Sequence, residues 1–437
     1  MGDRDIENNE ANNSLKRVLG LKEAVALGIG GTIGGGIFVL IGAAAGLAGP
    51  GILLAFVLAF CASSTIALPY AELACRYPQA GGGYAFASAV LGSTWGFLMG
   101  WGYWGAYLFI SGYVTLGFGG YLHALTGVPR VICAAALIVV LTILNIAGVK
   151  ISGRAQTLIV VLGLVGIVGF GLLGLSHAEP GNFIPMLPNG TRGVFQAALL
   201  TFLAFGGFDM VAAAGEEIEQ PNRNLPLAIM ITLVAVLGIY LLVAYVAVGV
   251  LPWQTLGASS APLADSARVF LGPFGGWLIS GIALLTTAAT ANAVLLTVSR
   301  ISFAMARDSL LPRGLAVVHP VTGTPYISVF VSGGFLCLVA VAGSISLATA
   351  VGGFLYVCQF LLSLASLAIL RRRKVGTPAF QMPLPSVILP LACAACLLLL
   401  ASSGSVGMLG GIGWLLLGLL INRRSSLSRL VHPSQKE

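Results

Sequence analysis

The sequence predicts an all-α integral membrane protein with twelve transmembrane helices, of which the first ten form two inverted repeats of five. Three observations support this prediction: the composition, the spacing of long apolar runs, and glycine pairs inside the first and sixth runs. The chain has 437 residues, of which 57% are hydrophobic and 8% are charged. Soluble domains carry about 25% charged residues, so the composition excludes an ordinary soluble fold.

Apolar runs divide the chain into candidate spans. A hydrocarbon core of about 30 Å needs about 20 apolar residues for each helical crossing. The runs of suitable length lie at about 22–46, 51–75, 93–122, 130–149, 155–176, 193–215, 227–251, 275–303, 326–343, 345–370, 386–403 and 405–422. The predicted regions are a disordered N-terminus (1–20), the first repeat (21–176), the second repeat (177–374), two additional helices (375–422) and a tail (423–437).

Basic residues predict the orientation of these spans. If the N-terminus is cytoplasmic, 19 of the 22 basic residues fall in cytoplasmic segments, and only Arg130, Arg192 and Arg268 fall outside. This asymmetry is the pattern of the positive-inside rule. It predicts a multi-pass protein of the plasma or inner membrane with both termini cytoplasmic. The net charge of +8 is therefore a topology signal and does not indicate nucleic-acid binding.

The first span contains an unusual glycine cluster, with six glycines in the nine residues from Gly28 to Gly36. Each glycine inside a helix costs about 1 kcal/mol relative to alanine, and an unpaired backbone group in lipid costs several kcal/mol. The cluster therefore predicts an interruption of the helix, where free amides and carbonyls face a binding cavity.

The sixth span repeats this pattern at Gly206 and Gly207, followed by Asp209, the one acidic residue deep in an apolar run. Acidic residues inside a membrane usually mark a pathway or a relay. Interruptions five spans apart are typical of an inverted five-plus-five repeat, because an odd number of spans inverts the second copy. Close packing of small residues between helices is the alternative explanation of the glycines.

Other polar residues have two interpretations each. Glu72 is either a functional intramembrane acid or a carboxylate near Arg76 that holds the cytoplasmic end of span two. Tyr107 and Tyr113 either line a cavity or pack between helices. In span eight, the threonine hydroxyls bond to carbonyls of their own helix or face the cavity.

The sequence argues against several functional classes. The four histidines lie at loops or span ends, so no catalytic constellation is apparent and an enzyme is not expected. The seven cysteines show no CxxC spacing, so no metal site is expected. No P-loop motif is present, which argues against a nucleotide-driven pump. A channel would need rings of charge or carbonyls along a continuous pore, and one acid with two broken helices fits an occluded site better.

The motifs resemble those of the amino acid–polyamine–organocation (APC) transporters, particularly the cationic-amino-acid-transporter branch. The matching segments follow the ten-span core in order and are Gly28–Phe38, Tyr70–Leu73 with Gly81–Tyr84, Phe205–Asp209, Glu216–Pro226 and Arg300–Pro312. The resemblance implies a LeuT-like fold with broken helices one and six. It also implies a secondary active transporter that moves amino acids by alternating access, either by exchange or by ion coupling.

The resemblance further implies a substrate site at the two interruptions. The substrate carboxylate would bind the freed amides of helix one, whose positive end favours anions. The ammonium would meet carbonyls of both helices, and Phe208 would pack over the substrate as part of a gate. The residues implied for these roles are Thr32, Ile33, Gly34, Gly35, Gly36, Phe202, Phe205, Gly206, Phe208 and Asp209.

Asp209 has three interpretations: a proton acceptor, a partner of a cationic substrate, or an acceptor that holds the free amides of helix one. We favour a structural or coupling role. The sequence departs from proton-coupled relatives in span five, where Gly163 stands at the position of their lysine. Without this lysine, the protein either exchanges substrates without an ion or holds a cation in the corresponding space. Na+ or H+ is the candidate coupling ion, and no other cofactor is expected. The residues of the candidate cation site are Gly30, Ile33, Thr286, Thr287 and Thr290.

The expected substrates are neutral or cationic amino acids. The alternatives are a polyamine or organocation transporter of the same fold and, in a different class, a membrane channel. The expected environment is the lipid bilayer, without nucleic acid. The protein is expected to be a monomer or homo-oligomer, and an accessory subunit is compatible with the sequence.

Overall fold

A computed structural model describes residues 19–76, 83–148, 153–213, 215, 218–373 and 380–431. Several parts of the sequence predictions lie outside the described residues. They are the N-terminal segment 1–18, the helix break that the Pro78–Gly83 stretch predicts (only Gly83 is described), the basic residues Lys150 and Lys374, Glu216 and Glu217, and the end of the tail at 432–437.

Helices dominate the described residues. These ranges contain sixteen α-helices and no β-strand, and one isolated β-bridge joins Leu19 to Ile218. The helices are α1 (Leu21–Thr32), α2 (Gly36–Ala48), α3 (Ile52–Arg76), α4 (Gly83–Leu91), α5 (Ser93–Thr126), α6 (Arg130–Ile146), α7 (Gly153–Gly174), α8 (Gly190–Ala204), α9 (Phe208–Ala213), α10 (Pro221–Val250), α11 (Trp253–Ala258), α12 (Pro262–Arg307), α13 (Tyr326–Val341), α14 (Ile345–Arg372), α15 (Pro385–Ser402) and α16 (Gly404–Val431).

The lengths and compositions of these helices agree with a multi-pass membrane protein. Across the described ranges, eight helical segments are long and apolar enough to cross a membrane, and α6 and α13 are shorter apolar helices. The two interrupted helices explain part of the difference from the predicted twelve, because neither α1 nor α8 alone reaches membrane-spanning length. The count of twelve stays a prediction.

Both predicted helix interruptions are present. Helix α1 ends at Thr32 and α2 begins at Gly36, so three residues separate the two halves. Helix α8 ends at Ala204 and α9 begins at Phe208. Each interruption coincides with a glycine cluster, as expected from the low helix propensity of glycine.

Two helix boundaries differ from the sequence prediction. Helix α16 continues to Val431, beyond the predicted end of the last span at 422. A helix satisfies its own backbone hydrogen bonds and therefore continues past the apolar region. Helix α12 begins at Pro262 and kinks at Gly272, whose φ of 64° is non-helical. The predicted start of span eight at 275 corresponds to the segment after this kink, because hydropathy detects only the apolar part of the helix.

Helix packing places the interruptions at the centre of the bundle. Helix α2 packs against α8, α1 packs against α10, and α8 packs against α3, so each broken helix contacts a long continuous one. Helix α14 packs against α5 and α16. The last helix is attached by a reciprocal tryptophan pair: the Trp101 indole donates to the Trp414 carbonyl at 2.8 Å, and the Trp414 indole donates to the Trp101 carbonyl at 3.1 Å.

Glu72 ties three segments together at the end of the bundle where α3 and α14 terminate. The side chain is fully buried, and its Oε1 accepts from Arg76 Nη2 at 2.8 Å and from Arg371 Nε at 3.1 Å. Its Oε2 accepts from Arg371 Nη2 and from the Met382 amide, the latter at 3.0 Å. These contacts agree with the junction-holding interpretation. They also fix the segment that leads into α15.

We expect Glu72→Gln to destabilise the folded protein by about 3 kcal/mol, because removing one partner of a buried ion pair leaves the other charge uncompensated. Thermal unfolding of the detergent-solubilised protein measures the loss. Arg371→Gln should reproduce it, since Arg371 contacts both carboxylate oxygens. Arg372→Gln removes a neighbouring exposed charge and serves as the matched control. Equal losses in Arg371→Gln and Arg372→Gln would argue against a specific role of the Glu72 contacts.

Candidate substrate site

The two helix interruptions lie against each other at Gly207. This residue has φ of +120°, which only glycine adopts readily. A β-carbon built on Gly207 would lie 2.8 Å from the carbonyl carbon and oxygen of Gly31 and 2.9 Å from the Thr32 nitrogen. The backbone of the second interruption therefore touches the backbone of the first, with no room for a side chain between them.

The predicted anion-binding amides fall into two pairs. The Ile33 amide donates to the Ile29 carbonyl at 2.7 Å, and the Gly35 amide donates to Thr290 Oγ1 at 2.9 Å. In the described part of the chain, the amides of Gly34 and Gly36 have no protein acceptor. Both lie at the start of α2, where the helix dipole favours negative charge. Two of the four predicted amides are thus free to bind an anion.

Side chains from two other helices, α12 and α5, lie close to this loop. β-Carbons built on Gly34 and Gly35 would lie 2.8 Å from Thr290 Oγ1 and from Thr287 Cγ2, respectively. At Gly36, the nearest group would be the Tyr113 hydroxyl at 3.4 Å. Tyr113 thus lies beside the loop, as in the cavity-lining interpretation. Larger residues at these glycines would fill the space beside the free amides.

Tyr240 contacts the carbonyl ends of both broken helices, and the sequence analysis missed it. Its fully buried hydroxyl lies 3.0 Å from the Thr32 carbonyl oxygen and 2.8 Å from the Ala204 carbonyl oxygen. These two residues are the last of α1 and α8. A tyrosine in the apolar run of α10 was the available signal, because a buried tyrosine hydroxyl usually finds a polar partner.

The polar groups predicted to meet the ammonium are partly engaged. The Phe202 carbonyl accepts from the Phe205 amide at 3.1 Å. The Thr32 hydroxyl is buried and has no hydrogen-bond partner among the described residues. A buried unpaired hydroxyl is costly, so the Thr32 side chain is the clearest protein group available to a polar ligand at this junction.

Asp209 accepts hydrogen bonds from four groups. Its Oδ2 accepts from the hydroxyls of Tyr103 at 3.3 Å and Tyr107 at 3.1 Å. Its Oδ1 accepts from the Tyr356 hydroxyl and from the Gly207 amide, both at 3.1 Å. Asp209 is 2% exposed. The amide that it holds belongs to its own interruption, which differs from the sequence interpretation in which it bonds the amides of helix one.

The three tyrosines connect this carboxyl group to the surrounding helices. Tyr103 and Tyr107 lie on α5, and Tyr356 lies on α14. Position in the sequence alone does not pair them with Asp209, because they are 106, 102 and 147 residues away. The sequence shows that these tyrosines lie inside apolar spans. It does not show that all three contact Asp209, because that depends on how the helices pack.

Aromatic rings form an apolar wall next to the junction. The Phe208 ring stacks on Phe360 at a centroid distance of 5.3 Å and meets the Tyr70 ring edge-on at 6.3 Å. Phe202 contacts Tyr356 and Phe360. Phe205 is fully buried and lies 5.4 Å from the Tyr240 ring. The predicted site residues of helix six are therefore brought together with Tyr240 and Tyr356.

The candidate cation-site threonines line the side of α12 that faces α7 and the helix-one loop. The hydroxyls of Thr286, Thr287 and Thr290 donate to carbonyls of their own helix at 2.8, 2.6 and 2.8 Å. Each oxygen keeps lone pairs for another donor or a cation. A β-carbon built on Gly163 would lie 3.0 Å from Thr286 Oγ1. Gly163 thus faces this threonine directly.

Gly30 and Ile33 complete the candidate cation-site residues. A β-carbon on Gly30 would lie 3.0 Å from Val160 of α7, and Ile33 is buried at the interruption. In the described ranges, no group of three or more histidine, cysteine, aspartate or glutamate side chains has the arrangement of a metal site. Any cation held here would depend on neutral hydroxyl and carbonyl oxygens.

Comparison with known proteins identifies the family. The model of the amino acid permease family matches residues 19–411. The chain belongs to this family. The match places it in the APC superfamily, and its relatives place it near the cationic amino acid transporters. This amino acid permease is therefore a multi-pass cell-membrane protein of a transporter family and not an enzyme.

Two bacterial relatives align with nearly the whole permease, and a mammalian one aligns with about three quarters of it. The chain is 32% identical to the branched-chain amino acid permease BcaP of Bacillus subtilis, covering 93% of this chain and 92% of that protein. It is 30% identical to the methylthioribose transporter of the same organism, covering 93% of each. It is 33% identical to cationic amino acid transporter 4 of Mus musculus, covering 77% of this chain and 57% of that protein.

Proposed function

We propose that this permease is a secondary active transporter that binds one amino acid at the junction of the two helix interruptions and moves it by alternating access. The observation that carries the proposal is the direct contact of the interruptions at Gly207 and Gly31, beside free amides and a free hydroxyl. Broken helices that meet near the centre of a helix bundle are typical of secondary transporter sites.

The main-chain groups of an amino acid match the polarity of the junction. Its carboxylate would bind the amides of Gly34 and Gly36 at the positive end of α2. Its ammonium would meet the Thr32 hydroxyl and the carbonyl ends of α1 and α8, where the helix dipoles are negative. The carboxylate would thus lie at the positive end of one half-helix and the ammonium at the negative ends of two others.

The substrate side chain is proposed to be neutral and apolar. Four hydrogen bonds already use both oxygens of Asp209, so little acceptor capacity is left for a lysine or arginine side chain. The neighbouring wall consists of aromatic rings. The printed name of the relative BcaP, a branched-chain amino acid permease, is consistent with this choice.

We place the chain in the membrane as twelve spans with cytoplasmic termini, the first ten forming inverted repeats. The paired interruptions support this arrangement, since they are five spans apart in the predicted order. The distribution of basic residues supports the orientation. One bundle of helices would rock against the other around the fixed site.

Two modes of energy coupling are compatible with these residues. In exchange, an outgoing substrate drives an incoming one, and no ion is needed. In ion coupling, Na+ would bind hydroxyl oxygens of Thr286, Thr287 and Thr290 with carbonyls of helix one, in the space next to Gly163. Proton coupling would instead involve Asp209.

Uptake into proteoliposomes tests the proposal. A panel of labelled branched-chain, cationic and acidic amino acids and one polyamine would be tested under three conditions: a sodium gradient, a proton gradient, or internal amino acid without an ion gradient. We expect saturable uptake and counterflow of leucine, isoleucine or valine, and little uptake of lysine or the polyamine. Absence of flux for every amino acid under all conditions would contradict the amino acid proposal, and non-saturable flux would indicate a channel.

A threonine pair on one helix separates the coupling modes. Thr286→Val removes the hydroxyl that faces Gly163, whereas Thr297→Val removes one that also bonds to its own helix, at 2.9 Å from the Ala293 carbonyl. Sodium coupling requires that Thr286→Val lose the response to a sodium gradient while Thr297→Val keeps it. Exchange requires that both variants retain counterflow.

A further inference from the structure

A groove with one arginine at its mouth lies at the end of the bundle where α3 terminates and α10 begins. The Cys75 thiol lies 3.7 Å from the Pro221 carbonyl oxygen, which brings these two helix ends together. The groove has a volume of about 380 Å³, and its lining includes Leu68, Asn222, Arg223, Leu227, Met230 and Phe380. No function proposed above uses it.

The lining of this groove includes Arg223, a cation without a partner among the described residues. Arg223 is exposed and forms no ion pair with any described carboxylate. Asn222, next to it, also has no hydrogen bond from its side chain within the described ranges. The nearest described acid in the sequence, Glu219, is exposed and is not paired with Arg223. The pair therefore offers free donors suited to a phosphate oxygen.

The remaining walls are apolar and open to the surroundings of the bundle. Leu227 is 42% exposed, and Leu68, Met230 and Phe380 are partly exposed. The wall at Phe380 is held in place from behind, because the nearby Met382 amide donates to buried Glu72 at 3.0 Å. The groove is therefore a formed surface with a cationic end and an apolar length.

We propose that this groove binds one anionic phospholipid, with its phosphate on Arg223 and Asn222 and an acyl chain along Leu68, Leu227 and Met230. Charge complementarity selects a negative headgroup, since no described carboxylate neutralises the arginine. Basic pockets between transmembrane helices are known to suit such headgroups. An inorganic phosphate would leave the apolar walls exposed, so the whole groove fits a lipid better than a free anion.

A bound lipid would bridge the two long helices that flank the substrate site. Helix α10 carries Tyr240, and α3 carries Glu72. The lipid would thus act on the elements that hold both broken helices, without entering the transport site. This role is separate from the proposed substrate, because the lipid is a resident ligand that is not transported.

Native mass spectrometry of the full chain in neutral detergent tests the site. Phosphatidylglycerol and phosphatidylcholine with identical acyl chains would be titrated separately. We expect the wild type to bind phosphatidylglycerol roughly fivefold more tightly, the preference that one arginine near a headgroup supplies. Arg223→Gln should abolish this preference and Arg223→Lys should retain it. Leu227→Trp should weaken the binding of both lipids by filling the groove.

Arg313→Gln is the matched control, because Arg313 is also exposed and unpaired among the described residues. It should leave the lipid preference unchanged. The proposal is overturned if Arg223→Gln keeps the preference, if Arg313→Gln loses it equally, or if millimolar inorganic phosphate displaces the lipid. A failure here would leave the amino acid uptake of the wild type unaffected, so the two proposals are tested independently.

Discussion

Gly207→Ala should abolish transport while leaving most of the protein folded. Alanine at φ of +120° costs about 1–3 kcal/mol in backbone strain. Its β-carbon would also lie 2.8 Å from the Gly31 carbonyl group. The nearest atoms, which belong to the Gly31 carbonyl and the Thr32 amide, are backbone atoms. They cannot rotate away as a side chain can, so the two interruptions must separate. We expect uptake in proteoliposomes to fall to the level of empty vesicles.

Gly238→Ala provides the matched control for this change. Gly238 lies inside α10, and a β-carbon there would have nothing within 4 Å. Alanine is a better helix former than glycine by about 1 kcal/mol, so this variant should keep full uptake. Size-exclusion chromatography would establish that both variants are folded. Normal uptake by Gly207→Ala would refute the close contact of the two interruptions as the basis of the site.

Asp209→Ala should also eliminate uptake, and it should destabilise the protein. The change leaves the hydroxyls of Tyr103, Tyr107 and Tyr356 and the Gly207 amide without their common acceptor. A buried unsatisfied group costs about 1–3 kcal/mol, although a hydroxyl can turn toward another acceptor. We expect a clear drop in the thermal midpoint together with loss of labelled leucine uptake.

Asp209→Asn distinguishes a hydrogen-bonding role from a proton-carrying one. Asparagine keeps one acceptor oxygen for Gly207 and Tyr356, while the hydroxyls of Tyr103 and Tyr107 can turn to accept from its amide. If Asp209 acts by holding these groups, Asp209→Asn keeps part of the uptake and the response to a proton gradient is the same as in wild type. Selective loss of the proton response, with counterflow retained, would assign the coupling proton to Asp209.

The sequence was sufficient to locate the interruptions because glycine clusters carry a local energetic signal. Six glycines in nine residues strongly destabilise a helix in lipid. The observed breaks fall at Ile33–Gly35 and Phe205–Gly207. The proximity of Glu72 to Arg76 was also predictable, since the two residues are four apart on one helix. Both predictions rest on residues that are close to each other in the sequence.

The partners of the key polar groups were not predictable in the same way. Arg371 reaches Glu72 from 299 residues away, and Tyr240 reaches the Thr32 carbonyl from 208 residues away. Such pairs depend on helix packing angles, which a single sequence does not encode locally. The engagement of the Gly35 amide was missed for the same reason, because the hydroxyl of Thr290 comes from a distant helix. The engagement of the Ile33 amide was also missed, although its acceptor, the Ile29 carbonyl, lies only four residues away.

The contact of Tyr240 with two carbonyls has a mechanical consequence. A tyrosine hydroxyl has one hydrogen to donate, so it can form one full hydrogen bond at a time, either to the end of α1 or to the end of α8. Rotation about the C–O bond transfers the donor from one helix end to the other without breaking an ion pair or moving a helix. One of the two carbonyls is therefore always left without the tyrosine hydrogen, and at the proposed site this carbonyl would be the acceptor available to the substrate ammonium group.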